Sequence, residues 1–91
     1  MSQMDTTLDR METLPLADRI SAEVKTEMRD RNVSQRELSR LTGIPLNTLS
    51  ARLRPHTTRP FTMGELGSVL DALDISLVEL AVRAERQLVR A

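Results

Sequence analysis

The chain has 91 residues, enough for one domain and too few for two. With 40% apolar and 29% charged residues it has the composition of a folded globular domain rather than a disordered chain. Cysteine is absent and His56 is the only histidine, which excludes a disulfide framework, a zinc–thiolate site, a cysteine nucleophile and a histidine-rich metal site. Phe61 is the only aromatic residue, so the core must be built from Leu, Ile, Val, Met and Ala, which favours helices. The same scarcity removes the stacking platforms that single-stranded nucleic acids need. No apolar run reaches the roughly 18–20 residues that span a bilayer, and the polar, acidic N-terminus is unlike a signal peptide. A cytoplasmic setting is expected, nucleoid-associated or in a host cell if the chain is phage-encoded.

The net charge of zero conceals an asymmetry. Residues 1–30 carry seven acids and four bases, net −3. Residues 31–60 carry six arginines and one acid, net +5, and residues 61–91 carry five acids and three bases, net −2. A basic middle third between acidic flanks creates a local positive field on a neutral chain.

Residues 1–13 hold Met4, Leu8 and Met11 at helical spacing without a start signal and are expected to form an arm or a weak helix. The domain proper should occupy residues 14–91. After Leu14-Pro15, the residues Leu16, Ile20, Val24 and Met28 form one apolar stripe, predicting a first helix over about 15–31 that ends at Asn32. Ser34 and Glu37 have capping-box spacing, Val33 can staple onto Leu38, and Gly43 stops a second helix over about 35–42 with Leu38 and Leu41 inward. Pro45 opens a third helix over about 45–54 with Leu49 and Leu53 inward, and Pro55 ends it. A loop rich in turn formers leads to a fourth helix, about 62–73, burying Met63, Leu66, Val69, Leu70 and Leu73. A fifth, about 76–90, shows Leu77, Leu80, Ala81, Ala84 and Leu88. Thr62 with Glu65, and Ser76 with Glu79, repeat the capping-box spacing. The expected fold is all-α, with five short helices.

Residues 34–54 read as helix, short turn with glycine, helix, which is the helix-turn-helix arrangement whose second helix enters the major groove. Leu38 must meet Leu49 to fix the angle, Ile44 plugs the gap, and small Ser39 permits close approach. Here the sequence resembles the Cro/C1-type (XRE) family of phage and bacterial repressors over about residues 20–81. The resemblance rests on Gln35, Leu38-Ser39, Gly43-Ile44, Thr48-Leu49-Ser50, Arg59-Pro60-Phe61-Thr62, Glu65-Leu66 and Ala72-Leu73-Asp74-Ile75. Arg52, where many members carry an apolar residue, and Asp74, in place of a common glycine, depart from the pattern. The resemblance implies a compact lambda-repressor-like fold and a sequence-specific regulator of transcription, repressor-like, acting on double-stranded DNA.

Helix geometry nominates the DNA face. With Leu49 inward and 100° per residue, Asn47 lies about 160° away, Ala51 about 200°, Arg54 about 140° and Ser50 about 100°. Asn47, Ser50, Ala51 and Arg54 therefore share an outward face bordered by Leu46. Asn pairs bidentately with adenine, Ser reaches several base edges, and Leu or Ala can meet a thymine methyl. The resemblance implies base reading at Leu46, Asn47 and Ala51. Backbone contacts are assigned to Gln35, Arg36, Thr48 and Arg59. Gln35 lies beside free N–H groups at a helix start, and Arg59 lies in the loop after the third helix. Arg36 and Arg40 either flank DNA or pair with acids such as Glu37.

One such unit offers only about 600–1,000 Å² of DNA interface, so a homodimer on a palindromic operator is expected. Leu80, Ala84 and Leu88 on the fifth helix are the candidate dimer surface. No cofactor, metal, small-molecule ligand or membrane partner is expected. No catalytic residues are assigned: no acids are paired for proton transfer, no glycine-rich loop cradles phosphate and no metal-ligand spacing occurs. Two other readings fit the same residues. One is an antitoxin-like or anti-repressor protein-interaction module; the other is a DNA-recombination accessory protein on the same fold.

Overall fold

A computed structural model describes residues 16–90, with side chains as far as Arg86. The expected arm at 1–13 and the side chain of Leu88 lie outside the described residues. Five helices follow one another: α1 (Leu16–Asp30), α2 (Gln35–Thr42), α3 (Leu46–Leu53), α4 (Met63–Leu73) and α5 (Leu77–Arg90). Among the described residues there is no strand, and no helix is long and apolar enough to cross a membrane. The all-α class and the five helices are those the periodicity predicts, with ends within one residue of expectation wherever both ends are described.

The helix ends follow from local chemistry. Asn32 adopts φ 58° and closes α1 with two bonds, Asn32 N–H to the Arg29 carbonyl at 3.1 Å and Val33 N–H to that of Met28 at 2.8 Å. Asp74, at φ 55°, closes α4 in the same way through Leu70 and Asp71. Such 6→1 and 5→2 bonds satisfy carbonyls that a helix end leaves orphaned. Asp74 thus adopts the left-handed conformation that glycine most often supplies at a helix end. Gly43, at φ 79°, closes α2 with one bond to the Ser39 carbonyl. A Cβ at that φ would be strained.

Of the three expected capping boxes, only Thr62–Glu65 is reciprocal. At Ser34 and Ser76 the hydroxyl accepts the N–H of Glu37 or Glu79, but each carboxylate turns to an arginine one turn on, Arg40 or Arg83.

α1 packs on α5 and α3, and α2 packs on α3 and α4. Val24, Leu38, Leu49, Leu53, Val69, Leu73 and Leu80 are fully buried at the centre. Each such aliphatic side chain contributes about 1.5–3 kcal/mol by leaving water. α2 and α3 have eight residues each and depend on this burial, because isolated helices of that length are marginal.

Four apolar assignments need correction. Leu16, Leu41 and Met63 are expected inward yet stand 52%, 50% and 72% exposed. Each lies in the first or last turn of its helix, where the neighbouring helix no longer covers the stripe. On α5 the stripe divides. Leu80 and Ala84 are fully buried in the chain's own core, so they are not the dimer surface assigned to them. Among its described side chains the outward apolar ones are Leu77, Val78, Ala81 and Val82.

Candidate nucleic-acid interface

The turn between α2 and α3 is locked by side chains that the sequence pattern marks only as small or polar. The Ser39 hydroxyl donates to the Ile44 carbonyl at 2.5 Å. Thr42 Oγ1 donates to the Leu38 carbonyl at 2.8 Å and accepts the Ile44 N–H at 3.2 Å. With Leu38 and Leu49 meeting in the core, these bonds fix the direction in which α3 leaves the turn.

α3 starts at Leu46 after Pro45, with no side-chain cap on Pro45. Leu49 and Leu53 are buried, while Leu46, Asn47 and Arg54 are exposed and Ala51 is half-buried. Asn47 and Arg54 are thus exposed as the outward face requires, Ala51 is only partly so, and Leu46 stands exposed at its border. The Asn47 Oδ1 accepts the Thr48 N–H at 2.9 Å, and the amide NH2 of Asn47 has no partner among the described residues. Thr48 itself is half-buried.

Ser50 departs from expectation. It is half-buried, and its hydroxyl donates to Gln35 Oε1 on α2 at 2.6 Å rather than standing on the outward face. The bond ties the start of α2 to the middle of α3 and orients the Gln35 amide, whose NH2 has no partner among the described residues. Sequence spacing treats Gln35 and Ser50 as separate contacts; their pairing appears only once the interhelical angle is set.

The six arginines of the basic third sort into two groups. Arg31 pairs with Glu27 at 2.5 Å, Arg40 with Glu37 at 3.6 Å and Arg52 with Glu65 at 2.8 Å. Arg36, Arg54 and Arg59 are exposed and have no carboxylate partner among the described residues. These three lie on α2, at the end of α3 and in the following loop, so the charge without a carboxylate partner gathers on the helix-turn-helix and the loop after it.

Arg52 is the residue whose role the spacing did not reveal. Its guanidinium takes both oxygens of Glu65, Nε to Oε1 at 2.8 Å and NH2 to Oε2 at 3.2 Å, and donates to the Arg59 carbonyl at 3.2 Å. Its own carbonyl accepts the Ser21 hydroxyl of α1 at 3.0 Å. The Arg52 hydrogen bond, aided by the Thr62 N–H, holds the Glu65 carboxyl below the usual carboxylate range. Glu65 in turn raises the guanidinium of Arg52. His56, at φ 56° in the same loop, places its Nδ1 3.3 Å from the Asp18 carboxylate. Phe61 is half-buried against the core, as expected of a plug.

No group of three or more His, Cys, Asp or Glu capable of holding a metal ion occurs among the described residues. A family model for the Cro/C1-type helix-turn-helix DNA-binding domain matches residues 23–85, more than half of the chain. No curated protein and no solved structure gives a significant match.

Proposed function

The chain belongs to the Cro/C1-type helix-turn-helix DNA-binding family, and from that premise we propose that it is a sequence-specific, repressor-like regulator of transcription with α3 in the major groove of double-stranded DNA. The observation that carries this reading is the sorting of arginines. Among the described residues Arg36, Arg54 and Arg59, on α2, at the end of α3 and in the loop after it, have no carboxylate partner, while Arg31, Arg40 and Arg52 are paired. Leu46, Asn47, Ala51 and Arg54 are the base readers: Asn47 has a free amide NH2 for an adenine edge, and Leu46 and Ala51 offer apolar contact to thymine methyls. Gln35, held by Ser50, donates to a phosphate at the start of α2, where backbone N–H groups also point outward. Arg36, Arg59 and the Thr48 hydroxyl complete the backbone contacts.

Replacing Asn47 with Ala should cost about 1–3 kcal/mol at the specific site and relax preference at one base pair, with nonspecific affinity nearly unchanged. Titration of a selected genomic site and of a random duplex measures both. An equal fall in the two affinities removes Asn47 from base reading. A stable heterocomplex with another protein and no duplex affinity at all would favour the interaction-module reading instead.

The second copy of a dimer would sit on the exposed side of α5, where Leu77, Val78 and Val82 are 47%, 73% and 45% exposed. Contiguous apolar surface of this kind marks an interface more often than a free face. Two copies on a palindrome, about one helical turn apart, would double the DNA interface. Sedimentation with and without a palindromic site checks this. Two protomers per site are expected, reduced to one by Val78→Asp; one protomer per site in the unsubstituted protein would remove the dimer.

A further inference from the structure

We propose that Arg52 is a positioning residue for DNA binding: it touches no DNA but fixes the loop that carries Arg59 relative to α3. This rests on the reading of Arg59 as a phosphate contact.

Arg52 is the one residue in the region bonded to three other elements. Its backbone carbonyl is anchored to α1 through Ser21, and its guanidinium is bonded to α4 through Glu65 and to the loop through the Arg59 carbonyl. A guanidinium presents its donors in a rigid planar fork, so one side chain sets two distances and an angle together. Glu65 is itself fixed, because Oε1 also accepts the Thr62 N–H at 3.0 Å while Thr62 Oγ1 accepts the Glu65 N–H at 3.0 Å. The loop is thus held at both ends of its second half, by Arg52 at residue 59 and by the reciprocal cap at residue 62.

Within the loop, the Arg59 N–H donates to Thr57 Oγ1 at 3.1 Å, so both backbone polar groups of Arg59 are engaged. Only its side chain is left free. The charge of Arg52 is matched by Glu65, which makes it a poor phosphate ligand and a good strut. Its side chain is 17% exposed, against 71% for Arg40, whose ion pair joins residues of a single helix. An apolar residue at position 52 could pack the same stem but would hold neither Glu65 nor Arg59.

The test uses the full chain and two readouts. Arg59→Ala should lower the slope of log K against log salt for a random duplex by about 0.9, the loss of one phosphate contact. Arg52→Met should lower it by at least half as much, and should add little when combined with Arg59→Ala. Arg52→Met with Glu65→Gln keeps the net charge and should behave like Arg52→Met alone, which separates position from long-range charge. The second readout needs no DNA: backbone amide relaxation of residues 57–61 should show lost order in Arg52→Met, while α1–α5 keep their chemical shifts. Should Arg52→Met fail to fold, Arg52→Lys keeps the charge, loses the fork and takes its place in both readouts. Unaltered loop order in the Arg52 variant overturns the proposal. So does a drop in affinity that is fully additive with Arg59→Ala. An Arg59→Ala variant with unchanged slope, beside a loosened loop in Arg52→Met, would instead overturn the phosphate role of Arg59.

Discussion

Two ionic nodes, one centred on Glu27 of α1 and one on Arg52 of α3, differ in what they hold. At the first, the buried Glu27 carboxylate receives two guanidiniums, Arg31 from its own helix at 2.5 Å and Arg83 from α5. Arg83 also meets Glu79 at 2.6 Å, and Arg31 reaches the Asp74 carbonyl at 3.5 Å. This node binds α1 to α5 and to the turn before it. At the second, one guanidinium, Arg52, receives one carboxylate and one loop carbonyl, and binds α3 to α4 and to the loop. The first encloses a carboxylate only 6% exposed; the second has no member as deeply buried. The difference separates two uses of arginine within one basic stretch. Arg31 joins α1 to the turn before α5, Arg52 joins α3 to α4 and the loop, and on the proposed function the three arginines without a carboxylate partner among the described residues supply the positive field. Counting charges along the chain therefore overstates the charge offered to DNA.

The sharpest way to break this comparison is to remove Glu27. Deleting this buried carboxylate takes Arg31's only carboxylate among the described residues and leaves Arg83 with Glu79 alone; breaking a fully buried pair costs roughly 3–5 kcal/mol. Here the two arginines are 42% and 31% exposed, so water recovers part of the loss and the low end, about 3 kcal/mol, is expected for Glu27→Ala. That is a large share of the roughly 5–10 kcal/mol such a small domain possesses. Urea denaturation at neutral pH measures it. The folded variant should keep the duplex affinity and salt slope of the parent, because the node's bonds reach α1, α5 and the turn before α5 and none to α2, α3 or the loop after it. A destabilisation below about 1 kcal/mol, or a parallel loss of DNA affinity in the folded protein, would erase the distinction between the nodes.

How much of this was legible beforehand depended on whether a feature was local. The helices, the left-handed residues at Asn32 and Gly43, the inward Leu38, Leu49 and Leu53, and the outward Leu46, Asn47 and Arg54 all follow from spacing within one element. The caps were half legible. Ser34 and Ser76 accept their bonds as their spacing predicts, but competition from Arg40 and Arg83 for the reciprocal carboxylates is a matter of neighbours one turn away. Leu80 and Ala84 were misplaced because an amphipathic stripe marks which residues share a face, not whether the core or a partner covers it. Glu27 gave no signal at all: an acid among the polar positions of α1 reads as solvated until α5 brings Arg83 across it. Arg52 was visible as an anomaly in an otherwise apolar position. Its partners are 7 and 13 residues further along, past the end of its own helix at Leu53, where helical spacing says nothing.

A smaller effect, in acid, sharpens the comparison further. Hydrogen bonds from Arg31 and then Arg83 hold the Glu27 carboxyl below the usual carboxylate range, against the opposing effect of its burial. Glu65 is lowered by Arg52 in the same sense. A carboxylate whose folded pKa is depressed stabilises the fold above its unfolded value of about 4.3, and the contribution disappears as pH falls through the folded value. Stability should therefore be flat in this respect from about pH 7 to pH 5 and then fall, by at most about 1.4 kcal/mol per pH unit for each carboxylate. The guanidiniums of Arg31 and Arg83 keep their charge throughout, so protonating Glu27 leaves two cations beside a neutral acid. The stability gap between the parent and Glu27→Ala should then close as the pH drops from about 5 to 3, and Glu65→Gln should produce a shallower closing of the same kind, because its pair is more open to water. Urea midpoints across that range decide it. A gap that keeps its neutral-pH size down to about pH 3 would mean that Glu27 stabilises α1 against α5 through packing and not through its charge.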